Sequence, residues 1–211
     1  MRKIHTLAII CSLWLIVTGC LWLTELGENV PGGELKEVNI AITLPMSEAT
    51  LQVKAQIPAG WVRNPDFGGI IFQPEDYADY FYAPLIQYQT SCAGSCDPKA
   101  IPGNIEKAIQ GIKETLARPN INTGDPELDA VRANVTIIAD EKFSKDGWIT
   151  AAAVTYPENL TSAQYVPKIV VHSFLHHQGD GFFVQTTAHA HLNQKNELLS
   201  LLIEACKMTD Y

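Results

Sequence analysis

Residues 169–177 and 182–191 alternate side chains with a period of two on either side of Gln178-Gly179-Asp180-Gly181, and this limits the fold more than any other stretch. Such alternation marks strands, and the Gly-Asp-Gly interval marks the tight turn of a hairpin. Pairing Gln178 with Gly181 sets His172 opposite Thr187 and Val170 opposite His189. One face then carries Ile169, Val171, Ser173, Leu175, Phe182, Val184, Thr186, Ala188 and Ala190, and is the core face. The other carries His172, Phe174, His176, Phe183, Gln185, Thr187, His189 and His191. A slip of one residue mixes the two sets, which fixes the register.

The rest of the chain supplies partners for this hairpin. Val38, Ile40, Ile42 and Leu44, then Leu51, Val53, Ala55 and Ile57, repeat with period two around Pro45-Met46-Ser47-Glu48-Ala49, which predicts an opening hairpin. Pro58-Ala59-Gly60-Trp61 reads as a turn, and 68–72 and 85–90 as further strands. Ile105, Ala108, Ile109, Ile112 and Leu116 share one helical face; Asn104 is the predicted N-cap, and Pro119 ends the helix. Residues 120–129 are polar and turn-rich, a surface loop. Strands at 135–139 and 148–156 join through Asp146-Gly147, and Leu198, Leu199, Leu202, Ile203 and Cys206 stripe a closing helix over 193–208. The expected fold is α+β: a single domain with an antiparallel sheet flanked by helices.

Arg2 and Lys3 precede an uncharged apolar run over 6–17 that ends in Val17-Thr18-Gly19-Cys20. This segment resembles the signal peptide and lipobox of bacterial lipoproteins, although those usually have Leu at the place of Val17 and Ala or Ser at that of Thr18. The resemblance implies cleavage before Cys20, diacylglycerol on its sulfur and an acyl chain on its new N-terminus, with no other cofactor. It divides the chain into a signal peptide (1–19), a lipidated tether (20–36) and a globular domain (37–211). Leu21-Trp22-Leu23 extends the apolar run to about 18 residues, enough for an uncleaved anchor instead. Both readings put the body on the envelope side of a membrane. Leu21 after the acylated cysteine implies the inner leaflet of the outer membrane, facing the periplasm. Losing Arg2 and Lys3 with the segment takes the formal charge from −8 to −10. An acidic body without a Lys/Arg cluster excludes nucleic acid as a partner.

The order of elements, with IPAGW at 57–61 and GFFVQTTAHAH at 181–191, resembles the PsbP and Mog-type α/β/α sandwich. That likeness implies adaptor, assembly or binding roles and brings no catalytic residue. With Cys11 in the signal and Cys20 lipidated, Cys92, Cys96 and Cys206 remain. In an oxidising periplasm Cys92 and Cys96 are expected to close a disulfide loop turned by Gly94, and Cys206 to be a buried thiol, with a bridge to Cys206 as the alternative. C-x-x-x-C with a distant His also resembles the copper set of Sco-type chaperones, although Asp97 stands where those have Pro.

His172, His189 and His191 are the sharpest metal candidates, His172 and His189 being diagonal neighbours across the hairpin. No G-x-S-x-G elbow is present, and the Tyr and Phe interleaved with Asp66, Glu75, Asp76 and Asp79 suit a protein-binding edge as well as those acids suit an acid pair for glycan cleavage. The chain therefore reads as a non-enzyme. Asp76, Tyr77, Asp79, Tyr80, Phe81 and Tyr82 form an aromatic, acidic patch suited to binding a protein with a basic surface. The expected function is a membrane-anchored, protein-binding lipoprotein of the immunity or inhibitor type, directed against a secreted antibacterial effector. The alternatives are a copper- or zinc-binding lipoprotein and a structural component of an envelope assembly.

Overall fold

The computed structural model describes residues 33–64, 70–75, 84–117, 133–156, 167–191 and 196–207. Its centre is the hairpin of β8 (Lys168–Leu175) and β9 (Phe183–His191), in which His172 pairs with Thr187 and Val170 with His189. This is the register that the alternation predicts. Around it lie β3 (Trp61–Asn64), β4 (Ile70–Pro74), β5 (Leu85–Ser91), β6 (Asn134–Lys142) and β7 (Gly147–Thr155). The seven strands run in the order β3-β4-β5-β9-β8-β7-β6, with every neighbouring pair antiparallel.

The opening strands β1 (Leu35–Thr43) and β2 (Thr50–Pro58) pair in register, Ile40 with Val53 and Ile42 with Leu51. They form a separate two-stranded sheet that contacts β5 rather than extending the main sheet. Its apolar face, Ile40, Ile42, Val53, Ala55 and Ile57, is buried. The Tyr88 hydroxyl on β5 donates to the Gln56 carbonyl at 3.0 Å, and Thr90 Oγ1 donates to the Thr43 carbonyl. Tyr88 is 1% exposed, and burial raises its phenol well above the ordinary range, so it stays a neutral donor.

The two helices lie against different faces of the main sheet. Helix α1 (Ile101–Ala117) packs Ile101, Ile105, Ala108, Ile109 and Ile112 on Phe174, Phe183 and Trp148. Helix α2 (Asn196–Cys206) lies against β2, β8 and β9 and buries Leu198, Leu202, Ala205 and Cys206. The layers are thus helix, sheet, and hairpin plus helix, which is the flanked antiparallel sheet that the sequence implies. Among the described residues no helix is long and apolar enough to cross a membrane.

Several boundaries differ from expectation: β4 runs on to Pro74, β6 spans Asn134–Lys142, and the start of α1 moves most. Helix α1 begins four residues before Ile105, because Ile101 prolongs the apolar stripe by one turn and Pro102 is tolerated in a first turn whose N–H groups have no helical acceptor. The Ala100 carbonyl accepts from the Asn104 amide at 3.0 Å, so Asn104 lies inside the helix and is not its N-cap. Its side chain instead donates to the Cys92 carbonyl at 2.8 Å and the Ser95 carbonyl at 3.0 Å. The predicted loop at 120–129 falls outside the described residues.

Tyr88→Phe removes the hydrogen bond to the opening hairpin and leaves the Gln56 carbonyl short of a partner in a half-buried place. The expected loss is about 1–2 kcal/mol in urea unfolding. Faster amide exchange in β1 and β2 than in β8 and β9 should accompany it; an unchanged unfolding midpoint would show that the hydroxyl does not hold the hairpin.

Candidate binding groove

Helix α1 presents two adjacent stripes to the sheet side. Ile101, Ala108 and Ile112 belong to the packed stripe, whereas Pro102, Ile105, Glu106, Ile109 and Gln110 overhang a cavity of about 830 Å³. The sheet contributes Trp148 and Phe174 to its floor. The β6–β7 turn contributes Lys142, Lys145 and Asp146 to its wall, and the β8–β9 turn Gln178 and Gly179. Lys99 and His176 complete the polar part of the lining.

The walls are braced. The His176 amide donates to the Asp146 carbonyl at 3.0 Å, joining the two turns, and His176 Nε2 sits 3.0 Å from the Asp180 carbonyl. Asp146 lies 3.5 Å from Lys145 Nζ and 3.8 Å from His177 Nδ1. Behind the floor, Asp140 accepts from Trp148 Nε1 at 3.1 Å and pairs with Lys113 of α1, tying helix to sheet. The Phe174 and Phe183 rings meet edge to face at 5.7 Å, a rigid apolar base.

Chemically, the groove offers apolar contact and a rim of both charges. Among the described residues its lining contains no hydroxyl or thiol side chain. Nothing in the sequence pointed to this groove as a whole. The one signal was Phe174 and Phe183 standing among histidines on the second face of the hairpin, which is the face that α1 covers.

The histidines do not meet. His172 pairs opposite Thr187, while His189 pairs with Val170 and His191 with Lys168, so the three are strung along the hairpin at steps of two residues. Successive steps of two on one strand span roughly 7 Å, too far for His172 and His191 to share an ion. His172 Nδ1 instead faces Thr187 Oγ1 at 3.1 Å. Among the described residues no three His, Cys, Asp or Glu side chains form a group that can hold a metal.

Cys92 and Cys96 are joined by a disulfide, their Cα atoms 5.0 Å apart. Cys206 is a free, fully buried thiol on α2, whose pKa burial pushes up. The loop fits tightly against the β8–β9 turn: a Cβ on Gly181 would lie 2.3 Å from the Cys96 carbonyl oxygen. Asp76, Tyr77, Asp79, Tyr80, Phe81 and Tyr82 lie outside the described residues, as do Cys20 and the N-terminal segment.

No protein-family model and no curated protein matches the sequence. Among solved structures, the chain is similar to the Ran-binding protein Mog1p of Saccharomyces cerevisiae (TM-score 0.46, 7% identity, 82% of this chain and 93% of that one). It is also similar to LpqN, which is involved in cell envelope biogenesis of Mycobacterium tuberculosis (TM-score 0.39, 14% identity, 83% and 88%).

Burial lowers the His172 pKa from 6.5 to about 4. The unfolded chain therefore takes up a proton here before the folded one does. The neutral ring's contribution is complete above about pH 6.5 and is lost as pH falls toward 4, at most roughly 3 kcal/mol. His172→Asn, which keeps a nitrogen near the position of Nδ1, should lose less stability than wild type between pH 7 and pH 4.5 in urea titrations. Parallel losses in the two proteins would show that His172 is not the titrating group.

Proposed function

We propose that this chain is a non-catalytic binding protein of the bacterial envelope. It is anchored through lipid on Cys20 at the inner leaflet of the outer membrane, and it engages another protein through the groove beside α1. The observation that carries this reading is the groove itself, an apolar lining of Ile105, Ile109, Trp148 and Phe174 with a rim of both charges. Apolar anchors in a pocket supply affinity, and rim charges set partner choice and approach. The acidic body favours a partner with a basic surface. The aromatic, acidic stretch from Asp76 to Tyr82 is assigned to the same partner as a second contact. In its specific form the proposal is an immunity-type inhibitor, tethered where a secreted effector enters the periplasm.

Two experiments test this. Ile105 is half-buried and lines the groove, so Ile105→Glu should leave the thermal midpoint within a few degrees of wild type while removing a stoichiometric partner that co-purifies from solubilised envelope. A partner retained by the variant, or none recovered with wild type, overturns the assignment. For the anchor, Cys20→Ser should abolish incorporation of labelled fatty acid and release the chain from the membrane. Retention in the membrane without label would show an uncleaved anchor in place of the lipid.

A further inference from the structure

We propose that Met46, Cys92 and Cys96 form a three-sulfur site for copper(I), exposed when the disulfide is reduced. It is independent of the groove and of the partner assigned there. Cys96 Sγ lies 4.0 Å from Met46 Sδ, although the two residues are 50 apart in sequence. Cys92 is bonded to Cys96, so the turn of the opening hairpin and the cysteine loop bring three sulfurs to one place.

Met46 breaks two local rules at once. Its side chain is 96% exposed, far above the other large exposed apolar residues Val62, Ile137 and Ile138. Its φ is 55°, in the left-handed region where a Cβ is costly and Gly or Asn is usual. A residue selected for the backbone here would be Gly or Asn, and one selected for solubility would be polar. Methionine offers neither advantage. What it adds is a thioether, and the fold aims that thioether at the cysteine pair.

Both sides of the site are held in place. The Leu44 amide donates to the Ala49 carbonyl at 2.9 Å, closing the Met46 turn, and the Ala49 amide donates to Ser47 Oγ at 3.0 Å. Next to it, Thr90 Oγ1 donates to the Thr43 carbonyl, fastening the hairpin end to β5 just before the cysteines. Across from it, Asn104 grips the Cys92 and Ser95 carbonyls and Gly181 lies against the Cys96 carbonyl. These contacts do not involve the S–S bond, so they position the loop in the reduced chain too. With Cα atoms 5.0 Å apart, two thiolates can reach one ion. Cys96 is exposed, which admits both reductant and metal.

Thiolate and thioether are soft ligands and select copper(I) over the hard cations. An external dithiol supplies two electrons and two protons; the Cys92–Cys96 bond breaks to give two thiols, and the dithiol is oxidised to its own disulfide. Copper(I) then displaces both thiol protons and takes the Met46 thioether as third ligand. Cys206 takes no part, being buried on α2 with its thiol kept protonated.

The test uses the full-length chain in detergent, reduced with a dithiol, desalted without oxygen and titrated with copper(I) against bathocuproine disulfonate. One ion per chain should bind, with a three-coordinate, sulfur-only signature in X-ray absorption. Met46→Gly suits the left-handed backbone and should keep the fold, yet weaken binding by at least the roughly tenfold that even an outer-shell partner is worth. The double variant Cys92→Ser, Cys96→Ser and the oxidised wild type should not compete with the chelator. Equal affinity in Met46→Gly and wild type, nitrogen or oxygen in the coordination shell, or failure of the reduced chain to compete would each overturn the three-sulfur site.

Discussion

The strands at the centre of this sheet are apolar on both faces, and neither face can be left to water. Val171, Leu175, Val184 and Ala188 are buried on one side of the β8–β9 hairpin, and Phe174 and Phe183 on the other. Fully burying side chains of this kind contributes about 1.5–3 kcal/mol each, so an uncovered face would forfeit a large share of the roughly 5–15 kcal/mol that a single domain holds in reserve. Two covers are required, and the chain provides them from different parts of its length. Helix α1 crosses one face while carrying the chain from β5 to the far edge at β6. The opening hairpin and α2 close the other. Ser173 sits under α2 on that side, and its hydroxyl donates to the Cys206 carbonyl, satisfying a buried polar group and a free helix-end carbonyl together.

The groove follows from how one of these covers is made. A helix of 17 residues over a twisted sheet cannot press all of its apolar surface against the strands. The stripe through Ile101, Ala108 and Ile112 lies in the packed cluster, and the neighbouring stripe through Ile105 and Ile109 is shared between that cluster and the cavity. The edge strand β6 shows the opposite solution. It is largely exposed, breaks register between Ile137 and Ala139, and ends in Asp140, Glu141 and Lys142, features that discourage another strand from adding there. In the groove, by contrast, the apolar surface is ringed by charged turns.

How much of this was legible in the sequence depends on the distance over which each signal acts. The β8–β9 register was readable because period-two alternation and a Gly-rich turn are local and mutually consistent; β1–β2 and β6–β7 were readable as hairpins but not in register, and the irregularity between Ile137 and Ala139 left no local signal. The start of α1 was not, because Pro102 and Gly103 look like helix breakers until the first turn's lack of backbone acceptors is considered. Asn104 looked like a cap because its neighbours gave it no other use; its real partners, the carbonyls of Cys92 and Ser95, come from the loop before the helix. The separation of β1–β2 from the main sheet is a tertiary choice, made by Tyr88 and Thr90 reaching carbonyls some 30 to 50 residues away. The groove was invisible for the same reason, since its lining comes from α1, two turns and two strands. The histidines share a strand face as the alternation implies, but they lie two and four positions apart along the hairpin.

The cysteine loop links these parts. Closing a ring this short removes little chain entropy, about 2 kcal/mol in the loop-closure picture, so the bridge matters more for local placement than for global stability. Placement here reaches the groove. Asn104, in the first turn of α1 beside Ile105, is hydrogen-bonded to the loop, and Gly181, in the turn that also supplies Gln178 and Gly179 to the groove wall, packs against the Cys96 carbonyl. Pro98 and Lys99 then lead directly from the loop into the lining. The bridge, the N-terminal turn of α1 and the β8–β9 turn are thus one braced corner. The support runs through the carbonyls of Cys92, Ser95 and Cys96 rather than through the S–S bond or any side chain that lines the groove.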